Sequence, residues 1–320
     1  MNVHIINQAE VRQLLPMNEC IEVMAQALQT LASGNAILPL RPILWLPEKV
    51  GALGMMPSYL GDIKAMGVKV VSVFPGNHGT QYDSHQGAVM LFETEHGQLL
   101  AIIDASAITA IRTAATTAVA TRLLARPDAH DLAILGAGIQ ARTHLEAVLL
   151  VRPIRRVLIW NRTPARAEAL ARELDLPDVT VRVVGDLAAA VGEADVISAA
   201  TMSKDPLIRG AWLKPGQHLD LVGGYREDMR EADDAAVARS RIFVDARFTA
   251  AAHAGDISQP LAAGLLADAD ITDTFQLARG ERPGRQNEAE ITLFKSGGGG
   301  HEDLGTAQYL LSRLQEKAGA

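Results

Sequence analysis

The sequence predicts an α/β protein with about two domains, one of which contains a doubly wound parallel sheet. The chain has 320 residues, and at ~150 residues per domain this length favours about two domains. From residue 131 onward, strand-like and helix-like segments alternate, which is typical of βαβ units and a parallel sheet. The first third lacks this alternation and has several strand-like segments in succession, which favours an antiparallel sheet there.

The first third contains one early predicted helix, a series of predicted strands and a long helix. Pro16 suits the first position of a helix, and Gly34 suits its end. Apolar residues recur between them at helical spacing, namely Met17, Ile21, Met24, Leu28 and Leu31. Apolar runs separated by Pro and Gly turns predict strands, which cover residues 37–46, 51–58, 65–74 and 86–93. Residues 106–125 have the length and composition of a helix, with Ser106 as its expected cap.

The second part of the chain alternates between predicted strands and helices. Its predicted strands cover residues 131–135, 156–160, 179–184, 195–201, 218–222 and 241–244. A final helix is expected over residues 303–320. Four consecutive glycines at residues 297–300, taken by themselves, indicate a flexible linker.

Composition and charge argue against several classes of function. The chain has 30 Lys and Arg against 37 Asp and Glu, a net charge of −7, and 4% aromatic residues. These values argue against a nucleic-acid-binding surface. No apolar run approaches the ~20 residues that span a bilayer, so no membrane association is expected. Cys20 is the single cysteine, which excludes an internal disulfide and favours a cytoplasmic location.

The strongest local motif is the segment LGAGIQA, which follows a predicted strand and opens a predicted helix. Gly136 permits a tight turn, Gly138 lets the backbone approach a pyrophosphate, and Ala141 allows close packing of helix and sheet. The N-terminus of the helix offers N–H groups and partial positive charge to the phosphates. The motif therefore predicts a dinucleotide site, with a glycine-rich turn that binds no ligand as the alternative.

The end of the next strand bears on which dinucleotide binds. NAD sites usually place Asp or Glu there, where it binds the ribose 2′-OH. This strand ends in Asn161, Arg162 and Thr163, with Arg166 one turn later. Because no carboxylate would repel a 2′-phosphate and two arginines can pair with it, we expect NADPH, with NADH also possible. The alternative is that the arginines are only the solvated start of a helix.

Three cations stand isolated in apolar or small-residue stretches of the first third, at Arg41, Lys69 and Arg112. An unpaired buried charge is unfavourable, so such residues need an anionic partner, and no carboxylate lies near them in the sequence. They therefore indicate an anionic ligand such as a substrate carboxylate. A structural ion pair, or a side chain that extends to solvent, is the alternative.

The histidines lack the spacing of a metal site, and His301 in the segment HEDLG is not part of an HExxH motif. His78 and His85 flank a polar loop and are expected to be exposed. A GxSxG motif and a catalytic cysteine setting are also missing from the sequence. Chemistry carried by a bound cofactor is therefore favoured over hydrolysis.

Several segments, taken together and in order, resemble the ornithine cyclodeaminase/mu-crystallin family over nearly the whole chain. They are RPILWLPE, LGMMPSY, GVKVVSVFPGN, DASAITAIRTAATTAVA, LGAGIQA, IWNRT, SAATMSKDPLI, LDLVGG and TLFKSGG. The resemblance implies a homodimer in which a Rossmann-type doubly wound dinucleotide domain is inserted into an α+β substrate-binding and dimerisation domain. We expect the dinucleotide domain over residues 116–299, and the other domain over residues 1–115 and 300–320.

The resemblance also implies which residues form the sites. The positions of Arg41, Lys69 and Arg112 would hold the substrate and its carboxylate. Besides the glycine loop, the residues lining the dinucleotide would be Ser84, Ile139, Gln140, Asn161, Thr201, Val222 and Ser296. Residues 295–297 would approach the nicotinamide, with Gly297 near the substrate, which replaces the linker interpretation of the glycine run.

One departure from the family pattern indicates a branch. Cyclodeaminases place a catalytic Asp directly after the two glycines of the late strand, whereas here Tyr225 follows them. Asp228 lies three residues further on and does not match that position. The segment LVGGYREDMREADDAA instead resembles the branch that reduces Δ1-pyrroline-2-carboxylate to L-proline and Δ1-piperideine-2-carboxylate to L-pipecolate.

For this reaction we expect Lys69 and Arg112 to be catalytic, and Arg41, Tyr225 and Gly297 to complete the substrate site. A protonated imine is already an electrophile, so the protein must mainly hold its ring over nicotinamide C4 and anchor its carboxylate. The proton donor stays open between Lys69 and a bound water. One alternative is an ornithine cyclodeaminase or alanine dehydrogenase in which Tyr225 or Asp228 replaces the missing carboxylate. The other is a mu-crystallin-like carrier of a small hydrophobic ligand.

Overall fold

Two β-sheets organise the chain, which a computed structural model describes over residues 3–77 and 80–319. Its strands are β1 (His4–Ile6), β2 (Ala36–Ile37), β3 (Ile43–Trp45), β4 (Ala52–Leu60), β5 (Ala65–Val73), β6 (His85–Glu93), β7 (Leu99–Asp104), β8 (Asp131–Leu135), β9 (Arg156–Trp160), β10 (Thr180–Val183), β11 (Val196–Ala199), β12 (His218–Leu221), β13 (Ser240–Val244), β14 (Ile271–Asp273) and β15 (Ile291–Lys295). Its α-helices are α1 (Gln8–Leu14), α2 (Met17–Ala32), α3 (Ala105–Leu124), α4 (Ile139–Leu149), α5 (Pro164–Glu173), α6 (Leu187–Glu193), α7 (Asp234–Ala238), α8 (Arg247–His253), α9 (Gly255–Ala262), α10 (Thr274–Ala278) and α11 (Gly300–Gly319).

The chain divides into two compact units. The first unit consists of Met1–Thr113 together with Gly299–Ala320, and the second is Ala114–Gly298. Within the described ranges, no helix is long and apolar enough to cross a bilayer.

The sheet of the first unit has the order β1-β7-β6-β5-β4-β2, and β3 also pairs with β4. The pairs among β2 to β7 are antiparallel, as predicted, whereas β1 joins β7 in parallel. The single strand predicted over residues 37–46 is wrong, because two short strands replace it. Pro39 and Pro42 lie between them, and proline has no N–H to donate to a ladder.

One face of this sheet is covered by helices. Met56, Lys69, Val89 and Ile103 lie side by side in register across β4 to β7, and all four are buried. α11 packs on these strands and against α2. Lys69 is therefore a cation in a row of apolar side chains on the covered face of the sheet.

The helix boundaries in this unit were mostly predictable. α2 begins directly after Pro16 and ends just before Gly34, as the sequence predicts. The cap predicted for the long helix is wrong. Asp104 accepts the backbone N–H of Ala107 at 2.8 Å, while the Ser106 hydroxyl donates to the carbonyl of His85.

The sheet of the second unit is parallel throughout, in the order β10-β9-β8-β11-β12-β15-β13-β14. This confirms the predicted doubly wound arrangement. Alternate residues of β8 belong to separate apolar clusters, with Leu132 and Ile134 in one and Ala133 and Leu135 in the other. Both faces of the sheet are therefore buried, as in other parallel sheets. The strand order reverses between β8 and β11, and ligands of such sheets bind outside the carboxyl edge at this point.

Candidate functional site

The glycine loop lies at this reversal point, directly after β8. Gly136 has φ +123°, a conformation that side chains rarely adopt, and a Cβ there would lie 2.6 Å from the carbonyl oxygen of Ala200. Its N–H donates to the carbonyl of Trp160 at 2.9 Å, which ties the loop to the end of β9. Only glycine fits this turn, as the motif predicts.

The N-terminus of α4 follows the loop. Gly138 is the N-cap, and a Cβ built there has no atom within 4 Å, so the backbone borders open space. Ile139 and Gln140 form the first turn, and Ala141 is buried against the loop. The first N–H groups of a helix lack partners within the helix, and here they adjoin open space that a pyrophosphate would fit.

The carboxyl end of β9 carries the residues expected at the adenosine ribose. The Asn161 side-chain amide donates to the carbonyl of Thr163 at 2.9 Å, which orders the turn into α5. Arg162, Thr163 and Arg166 are exposed at the beginning of that helix. The side chains of Arg162 and Arg166 thus lie at the surface next to the end of β9.

The remaining predicted dinucleotide residues fall in two places. Thr201, Val222 and Ser296 follow the ends of the neighbouring strands β11, β12 and β15, so they share the carboxyl edge with the glycine loop. Ser84 belongs to the first unit, where its hydroxyl lies 3.0 Å from Nδ1 of the half-buried His85. His78, which was expected to be exposed, lies outside the described residues.

The glycine run after β15 forms an ordered turn. The backbone N–H groups of Gly297 and Gly298 donate to one oxygen of the buried Asp245, at 2.7 and 2.5 Å. Asp245 itself follows the end of β13. A flexible linker is therefore wrong for this segment.

The first unit contains a buried cluster of opposite charges. The Lys69 Nζ lies 2.9 Å from the carboxylate of Asp303, and Arg112 Nε donates to the same carboxylate at 2.9 Å. Arg112 also forms an ion pair with Glu302. All four side chains are at most 4% exposed. Lys69 and Arg112 therefore form structural ion pairs, the alternative stated for them above, with two carboxylates that are distant in sequence and come from the first turn of α11.

Burial changes the acid–base properties of this cluster. Burial, together with the positive charge of Arg112, lowers the pKa of Lys69 to about 8. Burial likewise raises the pKa of Glu302, with Arg112 opposing the shift. The cluster has two cations and two carboxylates, all buried, so each cation already has a carboxylate partner within the chain.

The other predicted substrate residues lie elsewhere. Arg41 is half-buried in the connection between β2 and β3 of the first unit. Tyr225 and Gly297 belong to the second unit. Tyr225 is half-buried after β12, and burial raises the pKa of its hydroxyl. Of the predicted substrate residues, Lys69 and Arg112 are linked within the described chain, because both contact the carboxylate of Asp303.

The two carboxylates that organise this cluster were not among the residues predicted from the sequence. Glu302 and Asp303 were read only as part of HEDLG, a segment without metal spacing. A usable signal was present, because two acidic residues open a helix directly after a glycine run, and a helix N-terminus stabilises negative charge. The single thiol has no comparable role, since burial raises the pKa of Cys20 to about 12.

The parallel sheet, its reversal point and its glycine loop define the class of Rossmann-type dinucleotide-binding proteins. Within that class, the chain belongs to the ornithine cyclodeaminase/mu-crystallin family, whose sequence profile matches residues 1–318. The family predicted from the sequence motifs is therefore confirmed.

Individual relatives are similar over most of their length. The chain is 44% identical to Delta(1)-pyrroline-2-carboxylate reductase of Paracoccus denitrificans (strain Pd 1222) over 246 residues, which cover 76% of this chain and 78% of that protein. It is 38% identical to the ketimine reductase mu-crystallin of Mus musculus over 276 residues, which cover 86% and 84%. The structure of Thermococcus litoralis Delta(1)-pyrroline-2-carboxylate reductase with NADH and L-proline matches with a TM-score of 0.95 and 34% identity, covering 99% and 98%.

Proposed function

We propose that this protein is an NAD(P)H-dependent ketimine reductase, which reduces Δ1-pyrroline-2-carboxylate to L-proline and Δ1-piperideine-2-carboxylate to L-pipecolate. The observation that carries this proposal is the similarity over 99% of the chain to a reductase whose structure contains NADH and L-proline. The 44% identity to a second Delta(1)-pyrroline-2-carboxylate reductase supports the same substrate class. Tyr225, at the position where cyclodeaminases carry their catalytic Asp, favours reduction over cyclodeamination.

The dinucleotide would bind along the carboxyl edge of the second sheet. Gly136, Gly138 and the first turn of α4 would hold the pyrophosphate, because their backbone adjoins open space. Thr201, Val222 and Ser296 would line the rest of the molecule. The bound cofactor supplies a hydride from nicotinamide C4.

The substrate carboxylate would be held by Arg41, Lys69 and Arg112, with Tyr225 and Gly297 against the ring. The protonated imine accepts a hydride at C2 without further activation, so catalysis consists mainly of orientation and electrostatic stabilisation. Lys69 is suited to donate a proton near neutral pH, because its pKa is lowered to about 8. Residues 1–115 with 300–320 would thus bind the substrate, and residues 116–299 the dinucleotide.

We further propose NADPH as the preferred dinucleotide, with NADH as a weaker substitute. Arg162 and Arg166 are exposed beside the end of β9, where a 2′-phosphate would lie. Guanidinium groups bind phosphate through paired hydrogen bonds, and no carboxylate between Asn161 and Arg166 opposes them.

A homodimer in the cytoplasm is the assembly we propose. Large apolar side chains are exposed around the outer strands of the first unit, at Ile37, Leu40, Leu44, Trp45, Val50 and Leu53. Soluble monomers seldom expose so many apolar residues together, and such patches mark protein interfaces.

The decisive experiment is turnover of the purified protein with Δ1-pyrroline-2-carboxylate. Loss of NADPH absorbance and formation of L-proline are expected, with slower turnover on NADH. Arg112→Ala should raise the KM for the imino acid by about 100-fold, because it removes a charged hydrogen-bond donor to the carboxylate. No turnover with either dinucleotide, or ammonia release from L-ornithine, would reject the proposal.

A further inference from the structure

Glu231 has a buried side chain at the ends of β11 and β12 in the second sheet. It takes no part in the reaction proposed above. Its side chain is 0% exposed. Oε1 accepts hydrogen bonds from both the backbone N–H and the hydroxyl of Thr201, each at 2.7 Å. Oε2 accepts the backbone N–H of Gly223 at 2.7 Å. One carboxylate therefore joins the ends of the neighbouring strands β11 and β12.

This arrangement follows from the way strands end. Beyond the last ladder bond, backbone N–H groups lose their partners, and a buried donor without an acceptor is costly. A carboxylate has about four lone-pair sites, so it can accept from three donors at once. Burial raises the pKa of Glu231 to about 8, while Lys295 and the hydrogen bonds from Thr201 favour its ionised form. A side-chain amide of the same size has one acceptor oxygen and adds two donors of its own.

A third strand end is tied to the same network. Lys295, the last residue of β15, is fully buried and donates to the carbonyl of Gly223. Its Nζ also lies 3.2 Å from Oδ2 of Asp256, a buried side chain of α9. The other oxygen of Asp256 accepts the backbone N–H groups of Glu231 and Ala232 at 2.8 and 3.0 Å. Hydrogen bonds therefore fix both the side-chain carboxylate and the backbone N–H of Glu231.

The glycine at position 223 is required by this network. A Cβ at Gly223 would lie 2.1 Å from the carbonyl oxygen of Thr201 and 2.5 Å from Oε1 of Glu231. Any larger residue would therefore push the carboxylate away from the two strand ends. Gly224 has φ +57°, and a Cβ there would lie 2.5 Å from Oδ2 of Asp256. Both glycines that precede Tyr225 therefore have a structural reason that is independent of the residue following them.

We propose that Glu231 is a positioning residue for the dinucleotide, because it fixes the strand ends that carry Thr201 and Val222. This inference deepens the proposed function and rests on it, since both residues are assigned to the dinucleotide site there. Glu231 acts through the atoms that it holds. When Glu231 cannot accept all three hydrogen bonds, Thr201 and Gly223 separate, and the carboxyl edge of the second sheet no longer fits the dinucleotide.

The test is Glu231→Gln, measured as the dissociation constant of NADPH by fluorescence titration in the absence of imino acid. We expect binding to weaken about ten-fold, which corresponds to the loss of one hydrogen bond to a charged group. In assays with saturating NADPH, the KM for Δ1-pyrroline-2-carboxylate should change less than two-fold. Hydrogen exchange should accelerate in residues 199–203 and 221–225.

Asp195→Asn provides a matched control. Asp195 also accepts two backbone N–H groups with a single oxygen, from His130 and Asp131, at 2.9 and 3.1 Å. It lies at the opposite, amino end of β11, directly before Val196. This variant should lower the melting temperature while leaving the NADPH dissociation constant within two-fold of the wild-type value.

Several results would overturn the inference. They are a folded Glu231→Gln protein that binds NADPH like the wild type, equal weakening by Asp195→Asn, or a wild-type protein that binds no dinucleotide. If Glu231→Gln does not fold, Glu231→Asp replaces it, because aspartate keeps the charge but is one methylene too short to reach both strand ends. Wild-type affinity in that variant would again overturn the inference. Failure to turn over imino acids would reject the proposed function alone, since the readout here is dinucleotide binding.

Discussion

At the scale of single residues, the cluster around Asp303 meets two requirements of the proposed anion site. Buried cations act more strongly on a carboxylate because the dielectric is low, yet two buried cations such as Lys69 and Arg112 repel each other. Asp303 lies between them and accepts from both, while Glu302 balances the second charge. Burial and the charge of Arg112 still make the charged form of Lys69 less stable than in water, and its pKa is lowered for this reason.

We expect anion binding to weaken as the pH rises through about 8, because Lys69 then loses its charge. Pyrrole-2-carboxylate is a suitable probe, since its ring nitrogen is not basic and its carboxylate stays ionised. Its inhibition constant should rise by up to about ten-fold per pH unit above the pKa of Lys69. In Lys69→Arg the guanidinium stays charged, so the constant should be flat over this range. A flat profile for the wild type would contradict the prediction.

Removing the shared carboxylate should destabilise the protein. Asp303→Asn leaves Lys69 and Arg112 with Glu302 as their remaining acidic partner in the cluster, so the free energy of unfolding should fall by about 3–5 kcal/mol. Urea denaturation measures this loss. The control is Glu316→Gln in an exposed ion pair with Arg313, which should change the free energy by less than about 1 kcal/mol. Equal losses in the free energy of unfolding for the two variants would show that the buried ion pairs stabilise the protein no more than an exposed one.

At the scale of elements, the residues proposed to bind the dinucleotide in the second unit follow the carboxyl ends of five neighbouring strands. β9, β8, β11, β12 and β15 are adjacent in the sheet, and each is followed by a residue of the predicted site. A single edge thus offers a pyrophosphate loop at the reversal point and exposed arginines at β9. In the proposed NADPH site, specificity for the 2′-phosphate would come from the turn between β9 and α5 and from the first turn of α5.

Replacing Arg162 of that turn and Arg166 of the first turn of α5 should change the cofactor preference. In Arg162→Ala/Arg166→Ala, we expect the KM for NADPH to rise about ten-fold or more, because the partners of the 2′-phosphate are lost. The KM for NADH should stay within two-fold. Arg172→Ala, in the last turn of α5, is the control for a general loss of positive charge. Steady-state kinetics with both dinucleotides distinguishes these cases, and an unchanged preference would reject the assignment.

The sequence predicted elements better than it predicted contacts. β8 and β9 have the predicted bounds because an apolar run buried on both faces is a strong local signal. The glycine loop was predictable for the same reason, since its steric requirement lies within a few residues. The partner of Lys69 was not predictable, because Asp303 is 234 residues away and only the packing of α11 brings them together. Likewise, nothing local distinguishes Glu231 from the other acidic residues around it.

At the scale of the whole molecule, the first unit carries the exposed apolar strip that we assign to a dimer. Leu44→Glu places a charge in the middle of this strip, where burial without a partner is costly. We expect this variant to be monomeric in size-exclusion chromatography with light scattering, whereas the wild type is dimeric. Leu150→Glu, which alters an exposed leucine of the second unit, should remain a dimer. A dimeric Leu44→Glu protein would place the interface elsewhere.

The position of β15 has a consequence for synthesis of the chain on the ribosome. This strand is translated after β13 and β14, yet it lies between β12 and β13 in the finished sheet. Until residue 295 emerges, β12 and β13 lack the neighbour that joins them, and the helix that supplies Asp303 emerges later still. Neither unit can therefore complete its fold before β15 and α11 have been synthesised. Until then β12 and β13 expose apolar strand edges, which makes this interval prone to aggregation.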